Sequence, residues 1–535
     1  MRRDILIGGT VVVVAGLVAL RYAGNHVATN SVDMALARLP PGYSATHGAI
    51  TIDPASGSMH IDKLVLFRNG QPLFTSDDAT LTGIGTPDTD GVPARLGHLT
   101  AHGASFLTYR RIDRIELDGL ALHHLRALFD PASYPNGKPA NADRVKLLDS
   151  ADFYGAVAHV EPPPPKEGGR PVPAFDITAQ HAHAAGISAR LFSSPPSPYS
   201  LTDPAFAADL LRASAEDSGG VEGISAEIPQ GGSFTVGSES VQGYDGGHVQ
   251  SLDVEAIGWT GTIFPGSASL QKFEMKNLDV TRLLDRLPTI LADPKKTGSQ
   301  LSDSVRYDSV DMRGFKADFP AAPLVTLESI TGTTNYTDAG VITSEGTLTG
   351  LAVVTTGRPL KPAAQVALQQ FGMADFAMDM SGKSRLDPAT GHVTGDATEK
   401  FHDLGTLHIS ADLDGVPLNQ QDAAHIADAF RDTKVINADL RWDDASLAGR
   451  LFKVAAAQTG KSEQELRATI SLSLLGVAAM LPDQPDAADQ INAFLDGRHS
   501  LEIIVAPPTP VKLGDLAAVP VPQKAHVLGL KIKGS

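Results

Sequence analysis

Three clusters in this chain have residue types that could do chemistry. Ala455 to Ser462 (Ala-Ala-Ala-Gln-Thr-Gly-Lys-Ser) fits a loose phosphate-binding loop with Ala in place of its first glycine. That chemistry needs several glycines between a strand and a helix, so that backbone amides can wrap a phosphate. Here only Gly460 is glycine, and Leu447 to Val454 has helical spacing. A plainer reading accounts for each residue: Gly460 ends one helix, then Ser462 and Glu465 form a capping box for the next. His181 and His183 would put two imidazoles on one strand face with Asp176 nearby in sequence, but a catalytic zinc site typically has three protein ligands. No third clustered histidine follows, and the pairs His123/His124 and His402/His408 are weaker still. Asp303, Asp308 and Asp311, or Glu222 and Glu227, could be paired carboxylates. Among 61 acidic residues such neighbours arise freely. A serine-nucleophile elbow and a dinucleotide fingerprint are both missing from the sequence. The residues point away from an enzyme, and they imply no cofactor and no metal.

The repeating feature is apolar instead. In Ile115 to Leu122 the apolar residues Ile115, Leu117, Leu120 and Leu122 alternate, slip by one place at Gly119, and alternate again. Residues two apart in a strand share a face, so a plain strand would throw Leu120 and Leu122 to the other side. A β-bulge at Gly119 with positive φ would keep all four on one face. The pattern recurs at 59–66 (Met59, Ile61, Leu64, Leu66), 252–259, 273–280 (Phe273, Met275, Leu278), 310–317 (Val310, Met312, Phe315) and 411–418, with a partial copy at 325–332. Lys63, Ala256, Asn277, Gly314 and Gly415 stand at the slip, and Gly314 and Gly415 are read as bulges like Gly119. These copies predict a long, curved antiparallel sheet or groove with one apolar face, and they name no ligand and no reaction.

The sequence has 42% hydrophobic and 20% charged residues, ordinary folded protein with ample material for a core. Its formal net charge of −17 excludes the basic footprint of a nucleic-acid binder. There is no cysteine, hence no disulfide or thiolate nucleophile. Arg2 and Arg3 precede an uncharged run, Ile5 to Leu20, closed by Arg21. Its sixteen residues span about 24 Å as a helix, and the flanking arginines can snorkel toward the interfaces. An uncleaved membrane anchor is the preferred reading and a cleaved signal the alternative. The excess of positive charge before the run keeps the amino end cytoplasmic and places the remainder across the membrane.

The expected organisation is a transmembrane anchor over 1–24, a short linking helix over 25–42, and a β-rich region over 43–418 interrupted by a proline-rich insertion at 131–173. A helical plus β carboxy-terminal module over 419–535 caps the sheet. Helices are expected at 203–211, 281–291, from 362, and at 419–430, 444–458, 462–481 and 487–495. Strands 501–505 and 526–533 close the chain. The fold class is thus mainly β with an α+β carboxy-terminal part.

The anchor at Ile5–Leu20, the block Gly48–Leu81 and the octets at 115 and 310 together resemble the AsmA-like envelope proteins, a bacterial group related to TamB and to bridge-like lipid carriers. That resemblance implies a single-pass inner-membrane protein with an elongated periplasmic β-groove, linked to outer-membrane biogenesis or lipid transit, with phospholipid or envelope proteins as partners. It supplies no catalytic residue. The two function classes that follow are binding or conducting acyl chains along an apolar sheet face, and a protein-binding scaffold whose face is filled by its own side chains.

Overall fold

The computed structural model describes residues 43–535 except 54, 69, 86–93, 107–108, 163–172, 194–203, 230, 262–264, 293–303, 361–371 (save 366 and 368), 374, 418–429, 482–483, 498–499 and 535. The anchor, the linking helix, most of the expected helix at 419–430 and nearly all of the one from 362 lie outside the described residues. Among the described residues no helix is long and apolar enough to cross a membrane. The chain is mainly β, and its strand pairs are antiparallel. It divides into two compact units, one holding residues up to 264 and 274–307, the other 265–273 and 308–535.

The described part of the first unit opens on six short strands, β1 (Tyr43–Thr46), β2 (Ile50–Asp53), β3 (Ser58–Asp62), β4 (Val65–Arg68), β5 (Gln71–Thr75) and β6 (Asp78–Ile84). Longer ones follow: β7 (Leu96–Phe106), β8 (Tyr109–Leu120), β9 (Val145–Val160), β10 (Phe175–Ala189), β11 (Ser214–Ile228), β12 (Gly232–Asp245) and β13 (His248–Gly261). From β7 to β13 each strand pairs with the next. Among the described residues this unit has the α-helices α1 (Leu122–Phe129), α2 (Pro204–Ala213) and α3 (Thr281–Ala292). α3 follows β14 (Gly266–Asp279), a strand whose residues are divided between the units.

The interval 131–173, expected to interrupt the sheet, holds the 16-residue β9, which pairs with β8 and β10 on its two sides, each ladder with one register shift, at Tyr109/Arg111 and at Ile187/Ser188. Its proline clusters bracket a strand whose inward positions, Ala151 and Ala156 among them, are too small to stand out in an apolar count. Leu122 is buried as expected but opens α1 instead of continuing β8. Its helix adds Leu125 and Leu128 to the core, and the Tyr134 hydroxyl donates to the Leu128 carbonyl at 2.6 Å. Phe192 and Phe206 meet edge-on at 5.2 Å beside it. The 59–66 octet is likewise no single strand: it turns a corner at Lys63, β3 pairing with β2 and β6 while β4 pairs with β1 and β5.

The residues at the expected slips do adopt positive φ: Lys63 +47°, Gly119 +65°, Ala256 +54°, Asn277 +49°, Gly314 +66° and Gly415 +70°. The expected extra residue at Gly119 does not exist. His98 faces Asp118 and Leu96 faces Leu120, so both strands advance together and the ladder keeps its register. β7 and β8 slip in concert, which is why Leu96, Leu99, Ala101, Ala104 and Phe106 are all buried at steps of three, two, three and two.

Two rows of such kinks cross the first unit on alternate strands. Gly103, Gly155 and Gly223 form one row on β7, β9 and β11; Gly119, Gly186 and Gly243 form the other on β8, β10 and β12, all with φ between +57° and +66°. Over each lies a side chain of a neighbouring segment: Asp77, Asp113 and Gln180 for the first row, Asp149, Asp217 and Gln250 for the second. The intervening strand thus supplies a carboxylate or amide where the kinked strand lacks a Cβ.

In the second unit the strands are β15 (Ser309–Asp318), β16 (Leu324–Tyr336), β17 (Ile342–Val354), β18 (Asp375–Asp387), β19 (His392–Phe401), β20 (Gly405–Asp414), β21 (Lys434–Asp444), β22 (Ser500–Val505), β23 (Val511–Lys512) and β24 (Leu530–Gly534). Helices α4 (Leu447–Thr459), α5 (Glu463–Met480), α6 (Ala487–Leu495) and α7 (Val521–Val527) lie between or after the later strands. The expected closing strand 526–533 is shorter because α7 occupies its first residues. β21 arises inside the stretch read as mainly helical. Gly415 follows the end of β20 and is no bulge within it. The extra residue there is Ile436 on β21, since Leu413 faces Val435 while Asp412 faces Asn437. The outer edge of β24 is closed by side-chain amides. The Ile532 N–H donates to Gln484 Oε1 at 2.7 Å, the Gln484 amide donates back to the Ile532 carbonyl, and Gly534 donates to Gln490 at 3.0 Å. Strand addition is blocked there without a covering strand.

Candidate functional site: an open apolar face

The predicted apolar-face residues separate into two kinds. Met59, Ile61, Leu64, Leu66, Ile115, Leu117, Leu120 and Leu122 all lie within the filled core of the first unit, each no more than 8% exposed. Met275 and Leu278, also in that unit, are half-buried, as are Phe273, Val310, Met312 and Phe315 in the second.

In the second unit the register assembles the open face. Met312, Ile330, Leu348 and Met380 are successive cross-strand partners on β15 to β18 and form one apolar row. The adjacent row holds Val310, Gly332, Gly346, Gly382, Ala397 and Ile409, so its middle has almost no side-chain bulk. Phe315 and Leu327 pair on the other flank of the first row, as do Leu351 and Met378. Met380 is 40% exposed and Leu440, further along the face, 41%. Side chains on the opposite face are polar and satisfied: Arg313 pairs with Asp311 at 2.7 Å and Thr331 meets Thr347 at 2.6 Å.

Gly314 and Gly350 carry the kink here, and the expected bulge at Gly314 is absent, since Arg313 faces Ser329 and Phe315 faces Leu327 in unbroken register. Gln271 and Glu328 lie over the two glycines as the acidic and amide side chains do in the first unit. At Gly350 the ladder does take an extra residue, because Leu348 faces Met380 while Leu351 faces Met378. The freed Gly350 amide donates to Asp379 Oδ1 at 2.8 Å and His402 Nε2 lies 2.8 Å from the other oxygen. The Gly350 amide first, then His402, holds the Asp379 carboxyl below the usual carboxylate range.

Gly332, Gly346, Gly382, Met378 and Met380 were not singled out from sequence. Met378 and Met380 carry the period-two signal, but glycines opposite one another across three strands leave no pattern along the chain. Glu399 is a second omission. It faces Met380 and Leu407 on this apolar side, two residues from Phe401.

His181 and His183 do share a strand face, their rings stacked at 5.6 Å, but the carboxylates around them are divided. His181 lies 2.8 Å from Asp152 and stacks on Tyr154 at 4.6 Å, while Asp176 is taken by His159 at 2.7 Å. Among the described residues no group of three or more histidines and carboxylates is placed to hold a metal. The stretch 455–462 joins two helices. Gly460 ends α4 with φ +68°, the Ser462 N–H donates to Glu465 at 2.7 Å, and the Glu465 N–H donates to Ser462 Oγ at 3.2 Å. Ser462→Ala is therefore expected to cost about 0.5–2 kcal/mol in chemical denaturation, and Lys461→Ala to leave both stability and cellular activity unchanged. Loss of function at Lys461 with the fold intact would contradict this assignment.

A protein family described as "Uncharacterized protein" matches residues 398–534. The matched stretch runs from within β19 to β24 and includes Glu399, Phe401 and Trp442. No curated protein matches the chain.

Proposed function

We propose that this is a non-enzymatic envelope-biogenesis protein that binds or conducts lipid acyl chains along the apolar face of its second unit. In this reading the run Ile5–Leu20 anchors it in a bacterial inner membrane and the remainder is periplasmic. The observation that carries it is the half-exposed row Met312, Ile330, Leu348 and Met380 beside the Gly332–Gly346–Gly382 floor. Apolar surface left open to water costs about 25 cal/mol per Å² relative to burial, and a contiguous patch of this kind calls for an apolar occupant. Acyl chains meet that demand without requiring matched polar groups. The first unit favours the second reading, a protein-binding scaffold, because its core is filled by its own side chains.

Photo-crosslinking residues separate the two. At Met312 and Phe315 they are expected to capture phospholipid in cells, whereas at Asp311 and Arg313, on the polar face, they should capture little. At Leu117 and Leu120 they should react only with the chain itself. Absence of lipid adducts at both Met312 and Phe315 would leave the scaffold in front.

A further inference from the structure

The apolar face of the second unit carries a carboxylate. Met380, Glu399, Leu407 and Trp442 are successive cross-strand partners on β18 to β21, so their side chains project from one face. Phe401 lies two residues beyond Glu399 on β19 and shares that face. Its ring centroid is 6.0 Å from that of Trp442. The indole lies across Gly405, where a Cβ would come 2.5 Å from Cζ2. The Trp442 Nε1–H donates to Asp444 at 2.9 Å, leaving the indole with its π face and no free donor. Among the described residues no cation pairs with Glu399, and its neighbours across the strands, Met380 and Leu407, are apolar. A half-buried carboxylate with aliphatic cross-strand neighbours, on a face that also carries two aromatic rings, lacks one thing, a positive charge.

We infer that Glu399, Phe401 and Trp442 form a head-group site for a lipid bearing an ammonium group. An ammonium is attracted electrostatically by aromatic faces, and more strongly where water is partly excluded. Glu399 supplies the opposite charge, which aromatic rings alone do not. The occupant is a lipid and not a free amine because the face continues past the site through Met380 and Leu440, both substantially exposed, where a chain attached to the head group would lie. The inference rests on the acyl-binding reading and narrows it to amine-bearing lipids.

The chain has two tryptophans, Trp259 and Trp442, so Trp259→Phe leaves Trp442 as the sole indole reporter. Full-length protein of this variant is titrated with dodecylphosphocholine, dodecylphosphoglycerol and choline chloride while Trp442 emission is followed. Dodecylphosphocholine is expected to bind about tenfold more tightly than the phosphoglycerol of equal chain length, and choline chloride to have no effect at the same concentrations. Glu399→Gln should abolish the preference while retaining the affinity common to both lipids. Equal binding of the two lipids by the reporter variant overturns the head-group site and leaves the acyl reading intact. No response to either lipid removes both. Choline binding as tight as that of its lipid would make this a small-amine site and reject the lipid. The comparison of the two lipids in the reporter variant, with Glu399 intact, decides even if Glu399→Gln does not fold.

Discussion

Leu66→Ala is expected to lower the stability of the first unit by about 2–5 kcal/mol. The leucine is 1% exposed and sits in a core formed by strands β2 to β10 with α1 and α2. Truncation there leaves a cavity that surrounding strands, tied into ladders on both sides, cannot collapse. Met312→Ala in the second unit is a matched control, since it removes apolar bulk from a half-exposed face where water or ligand already has access. Its expected cost is below about 1.5 kcal/mol. Urea midpoints of the two variants, with local unfolding followed by hydrogen exchange, measure the difference. Similar losses at both positions would mean that the second face is also a packed core, and the lipid reading would go with it.

Gly119→Val is the other large effect. With φ at +65°, a β-branched residue meets steric strain of about 1–3 kcal/mol. The Asp149 carboxylate, which Arg95 and Lys146 both engage, also lies over the position a Cβ would take. Those contacts hold the Asp149 carboxyl below the ordinary range, the Lys146 hydrogen bond contributing most, so moving it aside also loosens an ion pair. Ala256→Gly is the converse experiment. Ala256 holds φ +54° with a Cβ, and glycine there should stabilise by up to about 1 kcal/mol. Thermal or urea denaturation reads both signs. A silent Gly119→Val, or a destabilising Ala256→Gly, would remove the role assigned to the kinks.

The kinks were legible because the spacing of Ile115, Leu117, Leu120 and Leu122 encodes a local event, one residue turned into the left-handed region. What the partner strand does at that place was not. Asp113 and Asp149 look like ordinary polar positions along the chain, and only the register shows that Gly155 and Gly119 lie beneath them. Whether an apolar row is covered is equally invisible, since Leu117 and Met312 occupy equivalent places in the same pattern. Burial of the first depends on α1 and on strands folded back far along the chain. The capping box at Ser462 and Glu465 was readable because its partners are three residues apart. β21 carries a strict alternation, Ala438, Leu440 and Trp442 against Asn437, Asp439 and Arg441, a strand signal passed over because the stretches on either side have helical spacing.

The alternation of kinked strands has a bearing on how such a chain can change length. Because left-handed residues occupy one row on odd strands and the other on even strands through β12, the smallest piece that repeats is a hairpin. Duplicating or deleting a whole hairpin would preserve phase and leave each glycine beneath a neighbour's carboxylate or amide. An odd-numbered insertion would set two kinks of one row side by side, with no side chain to lie over either. Genetic gain and loss in this architecture should therefore come in pairs of strands, which makes the hairpin a natural cassette for building longer or shorter versions of the sheet.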